Sequence, residues 1–225
     1  MAETGRRLYG QYCGLAAALD VLGERWTLLI VRELLLAPRR YGELLDALPG
    51  IGTNLLAERL KFLVEQGVVR RVPATDSDLR RQAYELTGAG ESLRRPVLDL
   101  ARWGMHRLAS PTPATTVRAD WGYLAVQAMV DAARLPGVRE SYLFRVDDLT
   151  FFVSVDDGTA RIGRGEPPDP PAMVATTDAT TFIEIGAGRL SPFEATVCGR
   201  LEMSGPPDAV LRCSALLGLI EPAVQ

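Results

Sequence analysis

The chain has few of the residues on which enzymes and metalloproteins depend. It contains one histidine, His106, and its three cysteines, Cys13, Cys198 and Cys213, show none of the spacings of a metal site. The G-x-S-x-G, P-loop and H-E-x-x-H motifs are also missing from the sequence. We therefore expect no catalytic residues, no metal ion and no cofactor.

The sequence also lacks a long apolar run. No stretch of 18 apolar residues is present, which excludes a transmembrane helix. The first ten residues are polar, include Arg6 and Arg7, and do not resemble a signal peptide. An odd number of cysteines fits a reducing compartment. We expect a cytoplasmic protein that does not engage a membrane.

What remains is an ordinary globular composition with an uneven charge distribution. The 225 residues are 47% hydrophobic and 24% charged, enough for one large domain or two small ones. Residues 1–110 carry a balance of +3 and residues 111–225 a balance of −6. The segment 110–116 contains Pro111 and Pro113 among small polar residues, which is typical of a semi-rigid linker. The sequence thus predicts two domains, 1–110 and 117–225, of which the basic one is suited to a polyanion.

The sequence of the first domain predicts helices followed by a β-hairpin. Apolar periodicity and Gly/Pro breaks predict a final helix that is bent at Pro96. The order of the elements is that of a winged helix-turn-helix. The predicted helices lie at 13–22, 26–36, 41–48, 53–67 and 88–108, and the strands at 68–72 and 82–86.

The helix at 53–67 has two distinct faces. Leu56, Leu60 and Leu63 share one face, and polar residues with Ala57 share the other. The polar face is expected to enter the major groove, with its N-terminal residues nearest the base edges, where Asn pairs with adenine and Glu with cytosine. Arginines before the preceding helix and on the wing would bind phosphates. The predicted DNA-contacting residues are Arg39, Arg40, Thr53, Asn54, Ala57, Glu58, Lys61, Arg80 and Arg81.

An alternative reading of this face remains open. The paired hairpin arginines, 70–71 and 80–81, also suit a merely solvated surface, and Glu58 and Glu65 oppose non-specific attraction to DNA. Arg59 lies at the border of the two faces and is positioned to pair with Glu43 or Glu58.

Four sequence blocks resemble the HxlR-type family of bacterial winged-helix regulators, which are relatives of MarR. They are GERWTLLIVREL at 23–34, RYGEL at 40–44, LLAERL at 55–60 and YELT at 84–87, in family order. The resemblance implies a homodimer on an inverted-repeat operator in double-stranded DNA, with dimer contacts from the first and last helices. An apolar stripe on the last helix, Leu93, Val97, Leu100 and Leu108, agrees with a partner surface, although it could also pack on its own domain.

Cys13 occupies the position of a reactive cysteine in part of that family. A helix N-terminus together with Arg6 or Arg7 would favour its thiolate. The plainer alternative is an inert buried thiol.

The second domain reads as α/β with a mainly antiparallel sheet. Its strongest turn signal is Asp156-Asp157-Gly158. The predicted strands lie at 140–146, 149–155, 159–163, 172–177 and 200–203, and the helices at 120–135, 178–185 and 207–219.

This half resembles the sterol-carrier-protein fold. The resemblance is carried by ATTDATTF at 175–182, GRLSP at 188–192 and GRLEMSG at 199–205, and it departs from the family at Pro206-Pro207. It implies an apolar tunnel between the sheet and its helices. Candidate lining residues are Trp121, Met129, Phe144, Phe151, Phe182, Ile185 and Met203. A closed core is the alternative, because aromatic residues in strands usually fill one.

Together these patterns predict an α+β protein, a winged helix-turn-helix followed by a sterol-carrier-like domain. The predicted function is a homodimeric transcriptional regulator whose second domain senses an apolar small molecule. Two alternatives stay open for the second domain, which could serve only as a structural or dimerisation module or act as a lipid carrier.

Overall fold

The structure is a computed structural model that describes residues 8–75 and 78–220. For residues 74, 75 and 78–81 it describes the backbone but not the side chains. The described residues fall into two compact units, the first ending at Val97 and the second beginning at Leu98. The segment after the last helix of the first half is held to the second unit, where Arg189 donates to Leu108 O at 2.7 Å and to Ser110 Oγ at 2.6 Å. The domain ranges 1–110 and 117–225 stay predictions.

The first unit combines helices with a small antiparallel sheet. Its strands are paired in the order β1-β3-β2, with Arg39 opposite Tyr84 and Val69 opposite Leu86. The winged helix-turn-helix order expected from the sequence is present. The elements are α1 (Gly14–Leu22), α2 (Thr27–Leu36), β1 (Arg39–Arg40), α3 (Tyr41–Ala47), α4 (Thr53–Glu65), β2 (Val69–Thr75), β3 (Asp78–Leu86), α5 (Gly88–Glu91) and α6 (Arg94–Met105), the last crossing into the second unit.

Aliphatic side chains build the core of this unit. The predicted apolar face of α4 is fully buried at Leu56, Leu60 and Leu63. These leucines pack in one cluster with α2, whose Ile30 and Val31 are also fully buried. With one face of α4 fixed in the core, the other face is left on the surface.

Two details of the first half differ from the sequence prediction. The final helix, predicted as one element over 88–108, is interrupted at Ser92 and Leu93, between α5 and α6. Pro96 lies in the first turn of α6, where its missing N–H has no intrahelical partner to lose. The short strand β1 was not predicted, because two residues are too few for an alternating pattern.

The second unit is a five-stranded sheet covered by helices. The strand order is β6-β5-β4-β7-β8, and every neighbouring pair is antiparallel except β4 and β7. A mainly antiparallel sheet was predicted. The elements are α7 (Ala119–Met129), a 3₁₀ helix (Ala132–Arg134), β4 (Glu140–Val146), β5 (Leu149–Asp156), β6 (Thr159–Arg164), β7 (Met173–Thr177), α8 (Ala179–Gly186), α9 (Pro192–Val197), β8 (Leu201–Ser204) and α10 (Pro207–Leu216).

Alternating apolar residues direct one face of this sheet into the core. Tyr142 and Phe144 on β4 and Phe151 on β5 are buried there with the residues of α7, α8 and α10. Gly122 allows α7 to approach α8 closely, because a Cβ at that position would lie 2.9 Å from Cδ1 of Phe182. The helices and the sheet thus enclose an apolar layer that carries the second site.

Three helices of this unit differ from their predicted ranges. The helix predicted at 120–135 ends at Met129, and Asp131 then caps the 3₁₀ helix by accepting from Ala133 N at 3.0 Å. Helix α9 was not predicted, although its capping box of Ser191 and Glu194 is readable from the sequence. The last helix ends at Leu216, and Pro207 lies at its start, where proline is favoured.

Among the residues that the structure describes, no helix has both the length and the apolarity needed to cross a bilayer.

Candidate functional site

The first candidate site is the outward face of α4. Thr53, Asn54, Ala57, Glu58 and Lys61 are all exposed, on the side opposite the buried leucines. Glu58 accepts from Arg59 at 2.8 Å, and Lys61 lies 3.8 Å from Glu65. Because the Lys61–Glu65 pair is exposed on both sides, water or a phosphate can replace either partner at little cost, whereas the side chain of Arg59 is only 14% exposed. The exposed face of α4 therefore presents hydrogen-bond donors and acceptors together with charges of both signs.

The start of α4 is fixed to the start of α3. The hydroxyl of Tyr41 donates to the carbonyl of Thr53 at 2.6 Å. This hydrogen bond sets where Thr53 and Asn54 lie relative to β1 and α3. Tyr41 was not among the predicted site residues, and its place in the RYGEL block was the only signal available.

Arg40 lies just before α3 and is paired with a carboxylate. Its Nη2 lies 2.7 Å from Oε1 of Glu43, and its backbone N donates to Oε2 at 2.7 Å, which completes a capping box. The hydrogen bonds from Arg40 lower the pKa of Glu43, and Glu43 raises the pKa of Arg40. A phosphate at this position would have to share the guanidinium with Glu43.

The remaining predicted phosphate contacts lie on the small sheet. Arg39 is partly buried in β1. The side chains of Arg80 and Arg81 on β3 lie outside the described residues, as does the tip of the wing at 76–77. Arg70 on β2 donates to Glu85 at 2.6 Å, whereas the exposed Arg71 lies over the ring of Tyr84, 5.9 Å from its centre.

The turn before α2 contacts the helix-turn-helix directly. Trp26 has φ 78°, a left-handed conformation that is costly for a bulky residue. Its Cη2 would lie 3.6 Å from a Cβ at Gly50, in the turn between α3 and α4. Arg59 of α4 donates to Glu24 at 3.0 Å as well as to Glu58. The GERW block therefore positions the turn and α4, a role that the sequence alone did not reveal.

Cys13 lies at the N-cap of α1 and is exposed. Backbone N–H groups of Ala16 and Leu15 lower the pKa of its thiol. Arg6 and Arg7, which were expected to assist, lie outside the described residues. The geometry favours the thiolate at a surface position, which differs from the buried, inert alternative.

The second candidate site is an apolar cavity in the second unit, with a volume of about 60 Å³. Strands β4, β7 and β8 form one wall, and residues of α7, α8 and α10 form the other. Of the predicted lining residues, the cavity contacts Met129, Phe144, Phe182, Ile185 and Met203.

Two residues predicted to line the tunnel lie elsewhere. Phe151 is fully buried in β5 and stacks on Phe144 with 5.2 Å between the ring centres. Trp121 is half-buried on α7. At this volume the cavity is far smaller than a lipid tunnel, so the aromatic residues act mainly as packing around it.

Comparison with known proteins places the first half among transcriptional regulators. The family of HxlR-like helix-turn-helix proteins matches residues 21–111. The HTH-type transcriptional regulator Rv3095 of Mycobacterium tuberculosis is 41% identical over 111 residues, which are 49% of this chain and 68% of that protein. A regulator of Synechocystis, sll1512, is 38% identical over 101 residues, covering 45% and 70%. The crystal structure of quinone-bound YodB from Bacillus subtilis is 31% identical, with a TM-score of 0.35, over 40% of this chain and 93% of YodB.

Proposed function

The chain belongs to the HxlR-like helix-turn-helix family of transcriptional regulators, and on that premise we propose that it binds an inverted-repeat operator as a homodimer. The exposed face of α4 is the observation that supports this most directly. Leu56, Leu60 and Leu63 are fully buried, so they hold the helix firmly. The opposite face remains available to base edges through Thr53, Asn54, Ala57, Glu58 and Lys61.

Phosphate contacts would come from the arginines around that face. Arg39 and Arg40 lie beside the start of α3, which Tyr41 ties to the start of α4. Arg80 and Arg81 lie on β3 of the wing. Contacts of this kind fix register and affinity, whereas Asn54 and Glu58 supply the sequence preference.

Exposed apolar side chains at the N-terminal segment support the homodimer. Leu8, Tyr12, Leu15 and Leu19 follow one another at intervals of four, three and four residues, and each is exposed. Leu100 and Trp103 of α6 are also exposed, at 52% and 61%. Leu15 and Leu19 lie one turn apart on α1, whereas Leu8 and Tyr12 precede that helix. Exposed apolar side chains one turn apart are typical of a helix surface that a second helix covers.

Selection from random duplex DNA followed by footprinting tests the proposal. We expect an inverted repeat whose half-sites lie about one helical turn, 34–36 Å, apart. A double variant, Leu15→Glu with Leu19→Glu, should yield monomers by light scattering and lose the paired site. Recovery of no enriched sequence, or of one bound equally well by the monomeric variant, would contradict the proposal.

Asn54→Ala should relax selection at one base position in each half-site. The expected cost is about 1–3 kcal/mol at that position, because a bidentate contact to adenine is lost. Gln66→Ala is the matched control, since Gln66 is exposed at the C-cap of α4, beyond the proposed contact face. Titrations with single-base variants of the operator measure both. An equal loss at every position would assign Asn54 to general affinity instead.

For the second unit we propose a sensor of an apolar small molecule in a sterol-carrier-like domain. The apolar cavity supports this role, and coupling requires that the ligand favour one dimer arrangement over another. A ligand that shifts the melting temperature but leaves operator affinity unchanged would restrict this unit to a structural or dimerisation module. A co-purified lipid would favour the carrier.

A further inference from the structure

The methionines of the chain are gathered around the cavity of the second unit. The sequence has five methionines, of which Met129, Met173 and Met203 line the cavity. Met105 borders the same wall, since its Cε would lie 3.1 Å from a Cβ at Gly186, a lining residue. The remaining methionine is the first residue of the chain. The unbranched, polarisable side chains are therefore concentrated at one place in the fold.

A methionine lining makes the volume of the cavity adjustable. Methionine has three rotatable side-chain bonds and fills irregular gaps, so it can withdraw with little strain. The present volume of about 60 Å³ is less than half of the roughly 150 Å³ of an engineered apolar cavity that binds benzene. Part of the boundary is also formed by the start of α9, at Pro192, and by residues that follow α10, at Leu217 and Leu219. The site can expand by the volume of one ring more readily than by that of an acyl chain.

The lining accepts only uncharged molecules. Among the described residues that line the cavity, none has a charged side chain, and the polar groups are the hydroxyl of Ser214 and the thiol of Cys213. Burial raises the pKa of that thiol, which keeps it neutral at physiological pH. An ionised carboxylate would lose its water without gaining a cationic partner, which is strongly unfavourable.

The lining also favours an aromatic ring. Phe144 and Phe182 meet edge to face with 5.7 Å between their centres, so they present both a ring face and a ring edge. Thioether sulfur atoms make favourable contacts with aromatic rings, most often at the ring edge. Three methionines line the cavity and can supply such contacts.

We infer that this cavity is an adaptable binding site for a neutral, compact aromatic molecule of about one ring. The inference names the ligand class of the sensor proposed above and rests on that proposal for its biological role, although binding itself is measurable without DNA. It distinguishes the site from a carrier of long-chain fatty acids.

Calorimetry and thermal melting with toluene, benzoate and palmitate test the inference on the full chain. We expect toluene to bind with 1:1 stoichiometry and to raise the melting temperature by about 5 °C at ten times its Kd. Benzoate has a similar shape but carries a charge, and it should produce no shift. Binding of palmitate, equal binding of benzoate, or no binding of toluene would each overturn the inference.

Two sets of variants locate the binding. Ser214→Leu should fill the cavity and raise the Kd for toluene at least tenfold. Ala215→Leu, at the next residue of α10 and outside the lining, should change this Kd less than twofold. Replacing Met129, Met173 and Met203 by leucine nearly keeps the side-chain volume but makes the cavity walls stiffer. This triple variant should raise the Kd for toluene about tenfold. This triple variant still tests the site if Ser214→Leu fails to fold. Unchanged affinity in the triple variant would overturn the role of the methionines.

Operator titration separates this inference from the proposed function. If toluene binds but operator affinity does not change, the site stands and the sensor proposal fails. If the chain binds its operator but not toluene, the regulator stands and the site is overturned.

Discussion

The two candidate sites are supported by buried side chains of opposite character. Behind the exposed face of α4 lie Leu56, Leu60 and Leu63, which are fully buried branched residues with few rotamers. Three methionines, which have many rotamers, lie around the cavity of the second unit. Under the proposed functions, a surface that contacts base edges needs a rigid support, whereas a cavity that adapts to its ligand needs flexible walls.

Leu60→Ala should cause the largest effect and test the rigid half of this comparison. The cavity it leaves in the packed core should lower the free energy of unfolding by about 2–5 kcal/mol. Met203→Leu in the other half, which nearly conserves volume, should cost less than about 1.5 kcal/mol. Urea unfolding measures both, with the exposed Lys61→Ala as a control within about 0.5 kcal/mol. If Leu60→Ala and Met203→Leu lower the free energy of unfolding by the same amount, the proposed contrast between the sites is wrong.

Two glycine variants should have opposite signs. Gly50 has φ +93°, so Gly50→Ala forces an unfavourable backbone and should destabilise the first unit by about 1–2 kcal/mol. Gly42 lies within α3 with no atom within 4 Å of a new Cβ, and Gly42→Ala should stabilise by about 0.4–1 kcal/mol. Thermal melting monitored by circular dichroism compares them. A stabilising Gly50→Ala would show that the turn beside Trp26 is not held as described.

Acid should weaken the second unit through a partly buried ion pair. Arg212 donates to both oxygens of Glu140, each at 2.7 Å, and Tyr142 also donates to this carboxylate. Burial on its own would raise the pKa of Glu140, but the hydrogen bonds from Arg212 and Tyr142 outweigh it and lower the pKa below its ordinary 4.5.

Because the folded pKa of Glu140 is depressed, the ion pair stabilises the unit above about pH 4.5 and is lost as the pH falls through the folded value. We expect the stabilisation by this ion pair to be lost across that range. Denaturant unfolding at a series of pH values should show this dependence, which Glu140→Gln should reduce and the exposed Glu202→Gln should leave in place. An identical pH profile in Glu140→Gln would assign the acid sensitivity to other groups.

The smallest expected effect concerns reactivity and not stability. Cys13 is exposed at a helix start with a lowered pKa, whereas Cys213 is buried with a raised one. Iodoacetamide should therefore modify Cys13 first and Cys213 last, with the exposed Cys198 as the internal comparison. Mass spectrometry of time points gives the order. Modification of Cys198 ahead of Cys13 would show that the helix start does not activate the thiol.

The helices of the first half were largely predictable because their signals are local. The buried leucines of α4 follow from a 3.6-residue period, and Pro49-Gly50 marks the turn before it. The interruption at Ser92 and Leu93 was missed because the sequence drew attention to Pro96, although proline is well tolerated in a first turn. Helix α7 ends early because Asp131 caps a new turn, a competition that periodicity does not register.

Local sequence patterns suffice to predict which segments are apolar, where most helices and strands begin, and which face of α4 stays on the surface, since each depends on neighbours a few residues away. The packing of Trp26 on Gly50, the bridge from Arg59 to Glu24 and the grouping of distant methionines around one small cavity are visible only in the folded molecule. Such contacts join residues distant in sequence, and their geometry is set by how helices and sheet pack, which no local pattern encodes.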